Sequence, residues 1–207
     1  MDDKKPIAYV MRHGDTDLND DNAFRGMLDP CLNDEGVVQA HKAAEFLSRQ
    51  NIERVICSPL HRAVQTAEIV SGTLGGRCIE QSRCLFPWQI APLYGKDKDE
   101  FAEALDHFVD NPTETPKNGE SLSDFIERVG DFFEDKLCPH CVTLFVCHTS
   151  NIIALNDIIN GTSEGRPESG EVVAPGGICA IYCDEDEDGG YEIEPIFGET
   201  HDAEFGS

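Results

Sequence analysis

Apolar runs of strand length alternate with segments of helical period along most of this chain, and few folds accept that alternation: a sheet with helices packed over it. Residues 6–11 read as a first strand, followed by a helix over 34–49. That helix carries Val37, Ala40, Ala44 and Leu47 on one face, with Asp34 and Glu35 in its opening turn, where the helix dipole favours acids. A short buried strand over 54–57, a helix over 59–70 with Pro59 in its first turn and a strand over 77–80 follow. Residues 121–137 place Leu122, Phe125, Ile126, Val129, Phe132 and Phe133 on one helical face. The run 141–147 is apolar almost without interruption, as in a central strand covered on both sides. A helix over 150–159 ends at Asn160-Gly161, a loop spans 161–177, and strands over 178–183 and 191–196 close a hairpin around an acidic turn. The pattern predicts a three-layer α/β/α sandwich with a mostly parallel central sheet.

Residues 1–198 form one domain on this reading. The stretch 85–120 is weakly patterned, rich in Pro, Gly and charge around one helix near 99–109, and is expected to be a lid-like excursion. From residue 199 on, a flexible tail is expected.

Three chemically loaded phrases fall immediately after strands: Arg12-His13-Gly14, Ser58-Pro59-Leu60-His61-Arg62 and His148-Thr149-Ser150. Open α/β sheets bind ligands at the carboxyl ends of their strands. Two histidines and two arginines would therefore meet on one edge of the sheet, beside the free amides that begin the helix after His148, a combination suited to phosphate.

The whole-chain charge runs against such a ligand. Sixteen Lys and Arg face 40 Asp and Glu, a formal net charge of −24. That surface repels nucleic acid and anionic membranes, so neither is an expected partner. A small phosphorylated substrate in a locally cationic pocket is compatible with it. No apolar segment approaches the roughly 18 residues of a membrane helix, and Met1 to Pro6 lack a signal-peptide pattern, so the expected location is cytoplasmic. The nine cysteines are then expected to be reduced. Cys138-Pro139-His140-Cys141 is a lone CxxC without a second pair at zinc spacing, and the Asp184, Asp186, Asp188 run has Pro195 where a calcium loop closes with a carboxylate; neither predicts a metal. The sequence sets no oligomeric state.

The strand-end phrases belong to a longer ordered series: Arg12-His13-Gly14-Asp15-Thr16 with Asn19, Phe24-Arg25-Gly26, Leu32-Asn33-Asp34-Glu35-Gly36, Ser58 to Ala63 with Gln65-Thr66-Ala67-Glu68, Gly119-Glu120-Ser121, and His148. In that order they resemble the histidine phosphatase superfamily, the phosphoglycerate mutase-like family. The resemblance implies a phosphoglycerate mutase-like fold and a phosphatase reaction through a phosphohistidine at His13. Arg12, Arg62 and His148 would cradle the phosphate oxygens, and Asn19, Thr149, Arg25 and Glu120 would bind phosphate or substrate, with no metal or cofactor. Phosphoryl transfer asks mainly for in-line positioning and stabilised equatorial charge, which an imidazole ringed by arginines supplies.

The chain departs from the pattern where many members carry a Glu or Asp acid. In Leu85-Phe86-Pro87-Trp88-Gln89, Pro87 and Gln89 stand at those positions, and neither titrates. Asp97, Asp99, Glu100 and Glu120 are the nearby acids. Loss of a general acid costs about 10² to 10⁴ in rate, which leaves open a slow enzyme, one restricted to good leaving groups, or a phosphoryl-binding module. A mutase is the other alternative, disfavoured by an excursion short for a closing lid.

Overall fold

The computed structural model describes residues 4–20, 25–161, 170–183 and 190–203, with backbone only at 19–20, 98–101, 170–172 and 201–203. Among these residues, eight strands and six α-helices follow in chain order, besides two 3-10 turns: β1 (Ala8–Arg12), α1 (Asp17–Asp20), α2 (Asp34–Leu47), β2 (Arg54–Cys57), α3 (His61–Thr73), β3 (Ile79–Gln81), α4 (Lys98–Asp110), α5 (Leu122–Lys136), β4 (Thr143–Cys147), α6 (Thr149–Asn160), β5 (Gly170–Val173), β6 (Ile178–Cys183), β7 (Tyr191–Phe197) and β8 (Thr200–Ala203). Six of the strands form one sheet in the order β3-β2-β4-β1-β6-β7. The four from β3 to β1 are mutually parallel, and β6 and β7 add antiparallel at one side.

Strand pleating sorts the apolar residues onto two faces. Tyr9, Met11, Leu144 and Val146 face a cluster with Ala43, Ala44 and Leu47 of α2 and Ala63, Ala67 and Val70 of α3. Their neighbours Ala8, Val10, Phe145 and Cys147 face Leu122, Phe125, Val129, Phe132 and Phe133 of α5 and Ile152 to Leu155 of α6. The sheet is thus the middle of three layers. On the second face the Phe133 and Phe145 rings lie 4.7 Å apart, close enough to add to the roughly 1.5–3 kcal/mol of burying each side chain.

Helix starts follow local chemistry. Asn33 caps α2 by accepting from the Gly36 amide at 2.8 Å, and Ser121 caps α5 by accepting from Asp124 at 3.1 Å, each satisfying an amide that the helix itself leaves bare. Gly161, at φ 66°, ends α6, in the left-handed region that glycine tolerates.

Two expectations require correction. The 161–177 loop contains β5, and of the tail expected from 199 on, the described residues Thr200–Ala203 pair antiparallel with Gly170–Val173. The two segments are too short and too polar to announce a strand by periodicity; the pairing is a tertiary effect. The 85–120 excursion is also more than a cover. Leu85, Trp88, Ile90 and Leu93 are buried in the α5–α6 cluster, so this stretch completes the core on that side. The acidic turn over 184–189 lies outside the described residues.

Candidate active site

The carboxyl ends of β1 and β4 lie side by side, and their parallel pairing brings the two histidines together. The His13 amide donates to the Cys147 carbonyl at 3.0 Å, one residue short of His148, and the two imidazole rings meet edge to face with centroids 5.1 Å apart. Both are 3% exposed. The turn before β6 crosses the end of β1, with the Gly176 amide 3.1 Å from the Arg12 and His13 carbonyls. Beneath the loop, Gly14 backs onto Gly36 at the start of α2: a Cβ on Gly14 would sit 2.5 Å from the Gly36 oxygen. Only glycine permits that approach, and Thr66 completes the clamp by accepting from the Gly14 amide at 3.1 Å while donating to the Arg62 carbonyl at 2.7 Å.

The hydrogen bonds of His13 define its reactive atom. Nδ1 lies 2.7 Å from the Gly14 carbonyl, an acceptor only, so Nδ1 carries the proton. Nε2 is then the lone-pair nitrogen, and the Arg62 Nε–H donates to it at 3.1 Å. Burial, followed by the charges of Arg62, Arg25 and Arg12, holds the imidazole well below its usual pKa of 6.5, with the Gly14 carbonyl opposing weakly. His148 is lowered in the same way by burial, then by Arg62, His13, Arg25 and Arg12. Its Nε2 is 2.8 Å from the Ser58 hydroxyl, and the Asn151 side chain accepts from its amide at 3.2 Å.

Arg62, 2% exposed, also donates to the carbonyls of Leu28 at 2.6 Å and Gly26 at 3.0 Å. It thereby ties the 25–28 turn, closed by the Leu28 amide on the Arg25 carbonyl at 2.8 Å, to the mouth of the pocket. Arg12 donates to the Val173 carbonyl at 3.2 Å. Burial and Arg25 lower Arg12 to about 9 against the pull of Asp15, and burial and Arg25 lower Arg62 to about 10 against Asp29. Both remain cationic at neutral pH. Crowding buried guanidiniums around two neutral imidazoles is unfavourable until an anion enters, and a phosphoryl dianion offsets that repulsion. Arg12 Nε and His148 Nδ1 are buried polar atoms with no hydrogen-bond partner among the described residues, and such groups are costly unless a ligand completes them.

The structure therefore brings Arg12, His13, Arg62 and His148 together at one edge. Arg25 lies in the 25–28 turn, half buried, where burial lowers its pKa against Asp15. Thr149 opens α6 directly behind His148 and is 9% exposed. The Asn19 side chain lies outside the described residues. Glu120 requires correction: its carboxylate accepts from Arg128 at both oxygens, through Nε at 3.0 Å and through the Nη2 group, and from the Gln89 amide at 3.3 Å. It anchors the excursion instead of presenting a free group to a phosphate. Ser58, Thr66, Asn151 and Arg128 are supporting residues whose roles sequence reading missed. Ser58 and Thr66 stand inside the quoted motifs, whereas the Arg128 partner of Glu120 carried no signal in the sequence. Among the described residues, no cluster of three or more His, Cys, Asp or Glu side chains is arranged to hold a metal ion.

Burying two neutral imidazoles sets the pH dependence of stability. Unfolded, each takes up a proton below about 6.5; folded, each resists until a lower pH, so the unfolded state binds more protons and stability falls on acidification. Between pH 6.5 and 5 the pair is expected to cost up to about 4 kcal/mol, at 1.4 kcal/mol per unit each. Urea unfolding across that range should show the loss, and His148→Asn should roughly halve the slope. A slope unchanged by that substitution would show that the imidazoles are not its source.

An α/β sheet that gathers buried imidazoles and guanidiniums at its strand ends defines a class of protein suited to a small phosphorylated ligand. The particular family is shown by comparison: residues 8–190 match the model of the histidine phosphatase superfamily, branch 1, and the chain belongs to it. A Hydrogenobacter thermophilus protein provisionally named phosphoserine phosphatase 2 is 30% identical over 162 residues, covering 74% of this chain and 78% of its own. The phosphoglycerate mutase of Schizosaccharomyces pombe is 28% identical over 198 residues, covering 89% and 92%. The fold matches the solved structure of Bacillus stearothermophilus YhfR with a TM-score of 0.78 at 23% identity, covering 93% of this chain and 96% of that one. No described helix is long and apolar enough to cross a membrane.

Proposed function

We propose that this chain is a phosphohydrolase that takes the phosphoryl group of a small phosphate ester onto Nε2 of His13 and then gives it to water. The observation that carries the reading is the division of labour on that ring: Nδ1 is committed to the Gly14 carbonyl and Nε2 faces the Arg62 guanidinium. The lone pair is thus aimed where the arginine recruits an anion. Arg12 and Arg62 neutralise the equatorial oxygens. Nε2 of His148 is paired with the Ser58 hydroxyl, and its Nδ1, buried with no hydrogen-bond partner among the described residues, is left to meet the same group. The backbone amides at Thr149 and the start of α6 extend the anion site, with Arg25 at its mouth.

After transfer, Nδ1 keeps its proton and the phosphorylated ring is an imidazolium. Its P–N bond therefore breaks to release a neutral imidazole when water attacks, and no metal or cofactor is needed for that step. The reading places the enzyme in the cytoplasm, where its many thiols stay reduced.

The test is a rapid quench with 4-nitrophenyl phosphate followed by mass analysis under alkaline conditions, in which phosphohistidine survives. A phosphorylated His13-containing peptide, with inorganic phosphate as the end product, is expected. Transfer to added glycerate in preference to water would establish the mutase alternative, and the absence of a phosphoenzyme together with tight phosphate binding would establish a binding module.

A further inference from the structure

The first chemical step forms the Nε2–P bond and breaks the P–O bond, whose electron pair leaves with the departing oxygen. An alkoxide cannot leave unaided; it needs a proton in the transition state. The segment expected to supply an acid is held firmly at the pocket. The Phe86 carbonyl accepts from the Asn151 side chain at 3.1 Å, and the Trp88 amide donates to the Ser150 hydroxyl at 3.2 Å. Both partners lie in the first turn of α6, next to His148. At that place the chain carries Pro87 and Gln89.

Among the described residues, the surroundings do not restore the missing acid. Gln89 is turned onto Glu120, its Nε2 at 3.4 Å from Oε1 and its carbonyl accepting from the Glu120 amide at 2.9 Å. Glu120 gives both oxygens to Arg128, which also donates to the Cys84 carbonyl at 2.7 Å. Trp88 locks the same pair through its indole N–H on the Glu120 carbonyl at 3.1 Å. The Glu120 carboxylate is thus an acceptor for the half-buried Arg128 guanidinium, and Asp97 is exposed. Both imidazoles at the reacting centre are held well below their usual pKa, chiefly by burial, and the Nδ1 proton of His13 is committed to the Gly14 carbonyl.

Resting on the reading of His13 as phosphoryl acceptor, we propose that the substrate is an aryl or acyl phosphate, whose leaving group departs as a stable phenolate or carboxylate without a proton from the protein. The anion takes its proton from solvent after release. In the second step water forms the new P–O bond, the P–N pair returns to Nε2, and the proton of the attacking water passes to a phosphate oxygen. Gln89 is a specificity-determining residue on this account, because a neutral amide admits only leaving groups that need no acid.

The experiment measures kcat/KM of the wild-type chain for acetyl phosphate, 4-nitrophenyl phosphate, phenyl phosphate and glycerol 3-phosphate. A fall of roughly 10³ or more from the first two to glycerol 3-phosphate is expected, with phenyl phosphate between, given the 10² to 10⁴ that a general acid supplies. The ratio of acetyl to 4-nitrophenyl phosphate assigns the acyl or aryl class. Gln89→Glu, or Pro87→Glu should the first variant misfold beside Glu120, is expected to raise phenyl phosphate relative to 4-nitrophenyl phosphate by about 10-fold or more. Turnover of glycerol 3-phosphate within about tenfold of 4-nitrophenyl phosphate would overturn the inference. So would an Asp97→Asn, Asp99→Asn or Glu100→Gln variant that loses phenyl phosphate selectively. If a phosphoenzyme forms equally fast from every substrate, this inference fails while the His13 mechanism stands; if none forms from any substrate, the mechanism itself fails.

Discussion

His13→Ala is expected to bring turnover of 4-nitrophenyl phosphate to background, a loss on the order of 10⁴-fold or more, comparable with other enzymes stripped of their nucleophile. Phosphate binding should change far less. Arg12, Arg62 and His148 remain, and Arg62 keeps its anchors on the Leu28 and Gly26 carbonyls when it loses the imidazole. The split between the two readouts is the informative part. If His13 served only to bind phosphate, affinity and rate would fall together, whereas here the rate should collapse while inorganic phosphate still protects the fold against heat, as any ligand of the native state does. The variant should also lose part of the acid-side destabilisation, because one of the two buried neutral imidazoles is gone. Residual turnover above about 1% of wild type, after subtraction of a mock preparation, would remove His13 from the reaction.

The layered fold was legible because its signals are local. A nearly unbroken apolar run at 141–147 has one use in an α/β chain, and the structure places β4 between β1 and β2. The helices at 34–49 and 121–137 declare their buried faces by period and their starts by caps. Arg12, His13 and His148 were legible for a topological reason: residues that directly follow parallel strands must share an edge of the sheet. What escaped was long-range. β5 and β8 pair across the chain's last segment with no periodicity to announce either, and the Val173 carbonyl that holds Arg12 belongs to a stretch that reads as loop. Glu120 looked available because an acid beside Gly119 and Ser121 resembles a site residue, while its partner Arg128 sits in the second turn of α5. The Gly14–Gly36 contact is a middle case. Both glycines appear in the motifs, yet only their close packing shows that they serve to set the height of the His13 loop.

Arg62→Lys is the second substitution expected to have a large effect, and the size of the effect follows from how many jobs one guanidinium performs. Its Nε–H meets His13 Nε2 at 3.1 Å while its two terminal nitrogens hold the Leu28 and Gly26 carbonyls, three directions fixed by one planar fork. A lysine ammonium preserves the charge but cannot span those acceptors. With the fork gone, the 25–28 turn loses both ties to α3, and Gly26, whose backbone lies against the Tyr94 ring, is free to shift along with Arg25. The reacting centre then loses a preorganised donor, worth about 10² to 10³ in rate for one oxyanion contact, and the alignment of the pocket mouth as well. We expect kcat/KM for 4-nitrophenyl phosphate to fall by at least about 10²-fold, mostly in kcat because the charge that recruits the anion survives. Arg62→Ala should add a large rise in KM, since it removes the charge too. If Arg62→Lys instead raised KM tenfold or more with kcat unchanged, the guanidinium would be serving ground-state attraction alone, and the geometry around His13 Nε2 would have no part in the transition state.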